Sequence, residues 1–378
     1  VTRDENSSSF DLSVGGEVLD LAYRVDMVYS TSRQVESVSF ADSDLVFVGY
    51  GVNAPEYGWN DYKVDVTGKT GVMLINDPGF ELRGKDFNGK AMTYYGRWTY
   101  KYEEAARQGA AAILIIHETA PAAYGWNVVE SSWSGEQLNL TFEDKNLGRS
   151  ALEGWITLDV AEQLFASMGT SYDEMKQEAL SKDFMPVEMS GMTLSANINN
   201  SLKYSESHNV VGYVEGSVSP EEYVIVMGHW DHLGKNEQLE GDQIFNGALD
   251  NATGTAGVMH MAETFSKRTP KRSVVFIGLT AEESGLLGSA YMAENPPFEY
   301  SQVIAGLNMD GMSYAGKSKD IIIIGYGASE LEPIIDKHAS AQGKYLAPDK
   351  YPEKGYFYRS DHINFAKKGI PMLYADPG

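Results

Sequence analysis

The stretch YVIVMGHWDHLG, residues 223–234, is an apolar run followed at once by a polar segment with two histidines and an aspartate. Short β-branched runs that end at glycine are typical of buried strands. Three further runs of strand length follow at residues 273–278, 303–307 and 321–324, and segments of helical composition lie between and after them, at residues 253–267, 286–294, 331–341 and 362–368. This alternation predicts an α/β fold, a mostly parallel twisted sheet flanked by helices.

Histidine and acidic side chains, which can bind metal ions or transfer protons, follow the predicted strands. They are His229 and Asp231, then Asp250 before a helix, then Glu282 with Glu283, and finally Asp310. Ligands of open parallel sheets bind at the carboxyl ends of the strands, so we expect these side chains to converge. Alternation along an extended chain places the first two on one side, so the Asp231 carboxylate can orient the His229 imidazole.

Each of these residues also has an ordinary structural interpretation. An aspartate before a helix, such as Asp250, is commonly an N-cap, and Asp310 alone could start a turn. Glu282 and Glu283 alone could be solvated surface. Together, however, carboxylates at one sheet edge repel each other unless they are protonated or neutralised by cations. One histidine with several carboxylates suits zinc or a similar ion, and a shared carboxylate suits two ions about 3.5–4 Å apart.

The first half of the chain has a different composition. Runs at residues 45–48, 71–75, 111–116 and 155–158 predict strands, and residues 100–108 and 160–168 predict helices. Residues 124–146, rich in Trp, Ser, Asn and Gly, predict an irregular excursion. We therefore divide the chain into an N-terminal segment, 1–44, which we expect to be incomplete, a smaller inserted α/β domain, 45–190, and a catalytic domain, 191–378.

Composition excludes several classes of function. The 378 residues include 53 acidic and 30 basic side chains, for a formal net charge of −23, which disfavours a nucleic-acid partner. No apolar run approaches the roughly 20 residues of a membrane-spanning helix. Cysteine is absent, which excludes disulfides, thiol catalysis and cysteine-ligated zinc. The sequence makes no prediction of oligomeric state.

Six motifs together resemble Peptidase family M28, the co-catalytic zinc exopeptidases. They are GHWDHLG (228–234), NGALDNATG (246–254), EESGLLGS (282–289), NMD (308–310), SDH (360–362) and GIP (369–371). Residues 45–190, centred on 100–119, resemble the protease-associated domain that is often inserted in such proteins. The resemblance implies secretion or a periplasmic location, although the chain, which starts at Val1, contains no signal peptide.

The resemblance also implies roles for individual residues. His229 and Asp310 would bind one zinc ion, Glu283 the other, and Asp250 would bridge the two. Glu282 would be the general base toward a zinc-activated water, Asp231 would support His229, and the Asp250–Asn251 peptide bond would be cis. The implied reaction is hydrolysis of a terminal peptide bond, most commonly by an aminopeptidase, on a peptide with a free terminus.

One expected ligand has no counterpart. Members of the family bind the second zinc ion with a further histidine downstream of the SDH motif, and no such residue precedes Gly378. We expect that histidine to lie beyond residue 378, with His362 as the alternative ligand, and we expect the chain as given to bind its second zinc ion weakly or not at all. His232 and His260 are interpreted as packing residues, and His117, His208 and His338 have no partner pattern.

Three other functions remain open. A glutaminyl-cyclase-like acyltransferase would share the architecture but use one zinc ion. A carboxypeptidase or dipeptidase of the same fold would share the motifs. A non-catalytic, receptor-like relative would lose the metal ligands, whereas four of the five expected are present here.

Overall fold

The computed structural model describes residues 1–84, 86–237, 239–312 and 316–376. The chain divides into an N-terminal unit, residues 1–204 together with Glu353–Gly355, and a C-terminal unit that comprises the other residues from 205 onward. No helix within these described ranges combines the length and the apolar character needed to cross a bilayer.

The N-terminal unit is built mainly around one sheet. Its strands are β1 (Thr2–Arg3), β2 (Ser9–Val14), β3 (Glu17–Val18), β4 (Met27–Ser30), β5 (Ser37–Phe47), β6 (Asn53–Ala54), β7 (Trp59–Asn60), β8 (Thr70–Leu74), β9 (Ala112–Ile116), β10 (Leu152–Ile156) and β11 (Val187–Ser201). Its helices are α1 (Gly79–Leu82), α2 (Trp98–Arg107), α3 (Thr119–Ala122), α4 (Trp126–Trp133), α5 (Leu158–Ser167) and α6 (Tyr172–Glu178).

Parallel pairing forms the centre of this sheet. Its order is β3-β2-β11-β5-β8-β9-β10-β4, with β1 beside β11. The four strands β5, β8, β9 and β10 run parallel, and antiparallel strands flank them. Every residue of β8, β9 and β10 is buried, which explains their apolar sequences because central parallel strands are covered on both faces.

Two predictions for this half of the chain differ from the structure. The predicted boundary at residue 190 falls inside β11, which pairs with β2 and β5, so the unit extends to residue 204 and includes strands from residues 1–44. The segment 124–146, predicted to be irregular, contains α4, in which Val129 is buried. The assignment of residues 45–190 to a protease-associated domain stays a prediction.

The C-terminal unit contains the predicted alternation of strands and helices. Its strands are β12 (Val210–Val214), β13 (Ser219–His229), β14 (Gly234–Lys235), β15 (Ile244–Phe245), β16 (Arg272–Leu279), β17 (Val303–Asn308), β18 (Asp320–Ile324), β19 (Tyr345–Pro348) and β20 (Met372–Asp376). Its helices are α7 (Gly254–Lys267), α8 (Leu287–Glu294), α9 (Glu332–Ser340) and α10 (His362–Ala366). The four strands and four helices predicted for this half are confirmed.

The main sheet of this unit is mostly parallel, as predicted. Its order is β12-β16-β13-β17-β20-β18-β19. Strands β16, β13, β17 and β20 run parallel, whereas β12 and β18 pair antiparallel with β16 and β20. The inner strands carry the core residues Ile225, Met227 and Ile277, which are buried. The parallel strands therefore end at one edge of the sheet, where the polar residues follow them.

Candidate metal centre

Two adjacent parallel strands deliver the first pair of site residues. His229 is the last residue of β13, and Asp310 follows β17, whose Asn308 lies opposite Met227. The Nε2 atom of His229 lies 3.3 Å from Oδ1 of Asp310, and the imidazole side chain is only 1% exposed. The register of the parallel strands thus brings together residues that are 81 positions apart in sequence.

Asp250 approaches the same imidazole from the irregular segment Ala248–Thr253, before α7. Its Oδ1 lies 3.0 Å from Nε2 of His229, and the Asp250–Asn251 peptide bond is cis, as the resemblance implied. The buried Asn251 side chain secures this segment: its Nδ2 donates to the Met309 carbonyl at 2.9 Å, and its Oδ1 accepts from the backbone N–H groups of Gly254 and Gly311, both at 3.0 Å.

The two glutamates after β16 are positioned by Asp231. The Asp231 carboxylate accepts hydrogen bonds from the backbone N–H groups of Glu282 at 3.1 Å and Glu283 at 3.3 Å. Its carbonyl oxygen lies 3.1 Å from Nδ1 of His229. A bond from Nδ1–H to this carbonyl leaves the Nε2 lone pair free to bind a metal ion. Asp231 therefore contacts His229 through its carbonyl oxygen, and its carboxylate, with Oδ1 3.7 Å from Nδ1 of His229, orients the glutamate pair.

These side chains form two groups of possible metal ligands in the described part of the chain. One comprises His229, Glu282 and Asp310, the other His232, Asp250 and Glu283, and the ligand atoms of each group lie within 4.8 Å of one another. Since Asp250 also contacts His229, it connects the groups. Four ligands predicted from sequence, His229, Asp250, Glu283 and Asp310, are therefore brought to one place, together with the predicted base, Glu282, and with His232.

The negative charges at this site favour the binding of a cation. Burial by itself would lower the pKa of His229, but the carboxylates of Asp231, Asp250 and Asp310 outweigh it and raise that pKa far above its ordinary value. Burial, together with the nearby carboxylates of Asp361 and Asp310, raises the pKa of Glu282 to about 9. A divalent cation would relieve this accumulation of negative charge, and imidazole nitrogen with carboxylate oxygen is a donor set that zinc accepts.

Two residues of the SDH motif contribute in ways that the sequence interpretation did not include. The Ser360 hydroxyl donates to Oδ2 of Asp310 at 2.5 Å and accepts from Nδ2 of Asn308 at 2.6 Å, so it orients the Asp310 carboxylate. Burial and neighbouring carboxylates raise the pKa of Asp361 to about 7. In the sequence, the signal for these roles was the presence of two polar residues, Ser360 and Asp361, before a short helix. Only the fold shows that this pair faces Asp310.

His362 does not join either group among the described residues. It is fully buried, its ring lies 4.8 Å from the Phe357 ring and 5.1 Å from the Tyr374 ring between centroids, and burial lowers its pKa to about 4. The structure therefore gives no support to His362 as a substitute ligand. His232, which we interpreted as a packing residue, lies in the second group instead.

Proteins with similar sequences include one named as a metalloprotease and one named as an aminopeptidase. A probable zinc metalloprotease from Pyrenophora teres f. teres (strain 0-1) is 28% identical over 173 residues, 45% of this chain and 32% of that protein. Aminopeptidase NAALADL1 from Mus musculus is 32% identical over 110 residues, 28% of this chain and 13% of that protein. The chain thus spans less than a third of the length of these curated relatives.

Among solved structures, an aminopeptidase from Aneurinibacillus sp. strain AM-1 aligns with a TM-score of 0.49 and 20% identity, over 98% of this chain and 73% of that chain. In sequence, the model of Peptidase family M28 matches residues 209–377, a range that contains every residue of both ligand groups. The similarity to Peptidase family M28 therefore lies in residues 209–377, the part of the chain that holds the candidate metal centre.

Proposed function

We propose that this chain is a zinc-dependent exopeptidase, and specifically an aminopeptidase. The observation that carries the proposal is the position of Asp250, which contacts His229 of one ligand group and belongs to the other. A carboxylate shared between two sets of ligands is the arrangement that two-metal hydrolytic sites use. The relatives named as a zinc metalloprotease and an aminopeptidase support the same chemistry.

His229, Asp310 and Asp250 would hold one zinc ion, and Asp250 with Glu283 would hold the other. Zinc bound there supplies a Lewis acid that polarises the scissile carbonyl and lowers the pKa of a water molecule. The protein's part is to hold the ligands rigidly: Ser360 orients Asp310, Asn251 fixes the segment of Asp250, and Asp231 fixes the backbone of Glu283.

Glu282 is the general base in this proposal. Its backbone N–H is held by Asp231, and its side chain lies with His229 and Asp310 in the first group. The carboxylate takes a proton from the attacking water and returns it to the nitrogen of the departing amine. Burial raises the pKa of Glu282 to about 9, and zinc ions bound beside it would lower that pKa again, which would leave the carboxylate free to accept the proton.

The net charge of the protein favours a peptide with a free α-amino group. The chain carries a formal net charge of −23 at pH 7. An incoming α-ammonium group is attracted to such a surface, whereas a free α-carboxylate is repelled by it. This argument favours the aminopeptidase over the carboxypeptidase mode.

The test uses zinc-loaded protein and aminoacyl p-nitroanilides, with the matching N-acetylated compounds beside them. We expect Glu282→Gln to lower kcat/KM by at least about 100-fold, since general base catalysis contributes about that much or more. Its zinc content, measured by atomic spectroscopy, should equal that of the wild type.

Glu263→Gln is the matched control, because Glu263 is an exposed glutamate on α7 of the same unit. Its activity should not change. Full activity in Glu282→Gln would remove the base assignment. Equal cleavage of the free and N-acetylated compounds would exclude the aminopeptidase mode, and cleavage only at the carboxyl terminus of a peptide would replace it with a carboxypeptidase.

A further inference from the structure

The main sheet of the C-terminal unit has a free edge at β12. This strand is the first in the sheet order and pairs antiparallel with β16, and no strand of the described residues lies on its other side. Four of its five residues are exposed, and the fifth, Val214, is half-buried. The exposed fractions are 64% for Val210, 43% for Val211 and 68% for Tyr213. The edge of the sheet is therefore an apolar strand that is open to solvent.

Strand β12 lacks the features that usually prevent a sheet edge from pairing with another chain. Those features are charged side chains, proline and β-bulges. The sequence of β12, VVGYV, contains no charged residue and no proline, and its register with β16 has no shift. At the opposite edge of the same sheet, β19 ends at Pro348 and is flanked by Lys344 and Asp349. The contrast indicates that β12 is the edge of this sheet that can accept another strand.

The strand that matches this edge best is a second copy of β12. In an antiparallel pair related by a two-fold axis at Gly212, all five residues of one copy lie opposite the five residues of the other. Val211 then faces the partner's Tyr213, and Val210 faces the partner's Val214. Each of these contacts joins two apolar side chains, and pairs of β-branched and aromatic residues across two strands stabilise a sheet.

Charge also favours β12 as the contact between two copies. Each chain carries a formal net charge of −23, so two copies repel each other electrostatically. Strand β12 itself is uncharged. In the two-fold register the acid that follows it, Glu215, lies opposite the partner's Asn209, so that residues 209–215 place no like charges opposite each other. A copy can therefore approach along this strand at little electrostatic cost.

We propose that β12 is a homodimer interface, at which two copies of the chain pair their β12 strands antiparallel about a two-fold axis at Gly212. The two seven-stranded sheets then form one continuous sheet. Each copy has a single β12 edge, and pairing occupies it, so the assembly closes at two copies. The inference is independent of the proposed function, because β12 contains no residue of either ligand group.

Sedimentation of the full chain over a series of protein concentrations measures the dimer. The wild type is compared with Val211→Lys, which introduces the kind of charge that protects natural sheet edges. Val218→Lys is the matched control, because Val218 is 69% exposed, like Tyr213, but lies outside β12. Circular dichroism establishes that each variant is folded.

We expect the wild type and Val218→Lys to form a dimer that dissociates on dilution. The dissociation constant of Val211→Lys should be at least about tenfold larger, since each pairing would bury two lysine side chains in an apolar contact. Added salt should tighten the wild-type dimer, because it screens the repulsion between two acidic chains.

A cysteine at the two-fold axis tests the register. The chain contains no cysteine, so Gly212→Cys introduces a single thiol, and a Cβ atom at this position meets no described atom within 4 Å. Directly opposite residues of an antiparallel pair have Cα atoms about 4.5–5.5 Å apart, which is within the range of a disulfide. Oxidised glutathione should therefore link two copies of Gly212→Cys, whereas Val218→Cys should link much more slowly.

The outcomes that would overturn the inference are distinct. A wild type that stays monomeric at every concentration has no such interface, and assemblies larger than a dimer do not fit a pairing that closes at two copies. An equally tight dimer in Val211→Lys, or equal rates of linkage in Gly212→Cys and Val218→Cys, would place the contact on another surface. A dimer that salt weakens would point to ion pairs in place of the uncharged strand. The proposed function is tested separately, by hydrolysis and zinc content.

Discussion

At the scale of single residues, Asp231 shows how one side chain can organise several others. Its carbonyl oxygen faces Nδ1 of His229, and its carboxylate accepts from two successive backbone N–H groups, those of Glu282 and Glu283. Groups that orient metal ligands in this way fix the tautomer of the histidine and the direction of the carboxylates. Asp231 therefore belongs to neither ligand group and yet orients residues of both.

In the N-terminal unit, Lys101 is a buried basic residue near buried acidic side chains. It lies on α2 with its side chain fully buried, and its Nζ donates to the Tyr50 carbonyl. Burial lowers its pKa from 10.5 to about 7, although the buried carboxylates of Asp77 and Asp61 oppose that shift. Burial likewise raises the pKa of Asp61 to about 6. The lysine is the buried cation that faces these two acids.

We expect Lys101→Met to destabilise the N-terminal unit by about 3–5 kcal/mol at about pH 6.5, where the lysine is still mostly protonated, because it leaves buried carboxylates without a counter-charge. Urea unfolding measures this loss. It should shrink at pH 5, since the pKa of Asp61 rises further without the lysine and a protonated carboxyl needs no cation.

The pH dependence gives a second measure of the same residue. In the wild type the unfolded chain binds more protons at Lys101 than the folded chain between about pH 7 and pH 10.5, so the lysine makes the free energy of unfolding rise with pH across that window. That contribution should be absent from Lys101→Met. Lys203→Met, at an exposed position, is the control, and equal stability of the two variants at about pH 6.5 would contradict the counter-charge role.

At the scale of elements, the start of α7 is the point at which the site and the helix meet. Gly254 is the first residue of α7, and a Cβ atom there would collide with the Met309 carbonyl and with Oδ1 of Asn251. The helix can therefore begin directly against the loop of Asp310 only because this residue has no side chain. The close approach is what brings Asp250 and Asp310 onto the same imidazole.

We expect Gly254→Ala to destabilise the C-terminal unit by about 1–3 kcal/mol, the usual range for overpacking, and to weaken zinc binding. Thermal unfolding and zinc titration measure the two effects. Gly212→Ala is the matched control, because a Cβ at that position on β12 meets no described atom within 4 Å. Tight zinc binding in Gly254→Ala would show that the start of α7 does not set the ligand geometry.

At the scale of the whole molecule, chemistry and architecture are divided between the two units. Both ligand groups lie in the C-terminal unit, and the N-terminal unit contributes none of their residues. Anything that binds only the folded C-terminal unit stabilises that unit by mass action. The two units should therefore respond differently to the metal.

Calorimetry of the complete chain tests this division. Zinc at 100 times its Kd should raise the unfolding free energy of the C-terminal unit by about 2.7 kcal/mol, and a chelator should reverse the shift. The transition of the N-terminal unit, identified as the one displaced by Lys101→Met, should not move. A zinc-dependent shift of that transition would show that the metal also acts on the first unit.

Many strands and helices of this protein could be predicted from its sequence, because each is recognisable from the residues within it. The apolar runs and helical segments of residues 223–324 correspond to β13, β16, β17, β18 and the helices between them, since the hydrophobic pattern is set by burial within each element. The ligand candidates were recognisable because each follows a strand. The boundary at residue 190 failed because β11 pairs with residues at least 140 positions away, and nothing within residues 187–201 records those partners.

The sequence by itself determined the α/β class of the C-terminal unit and the identity of the acids and the imidazole at its strand ends. Only the tertiary structure decided which histidine joins the second group, because His232 and His362 are both histidines beside an aspartate in sequence. One lies 2.6 Å from Glu283, and the other is packed between aromatic rings. The physical reason is that a side chain can act as a metal ligand only where its donor atom points to the same place as the donor atoms of other ligands. That convergence depends on loops that the sheet brings together.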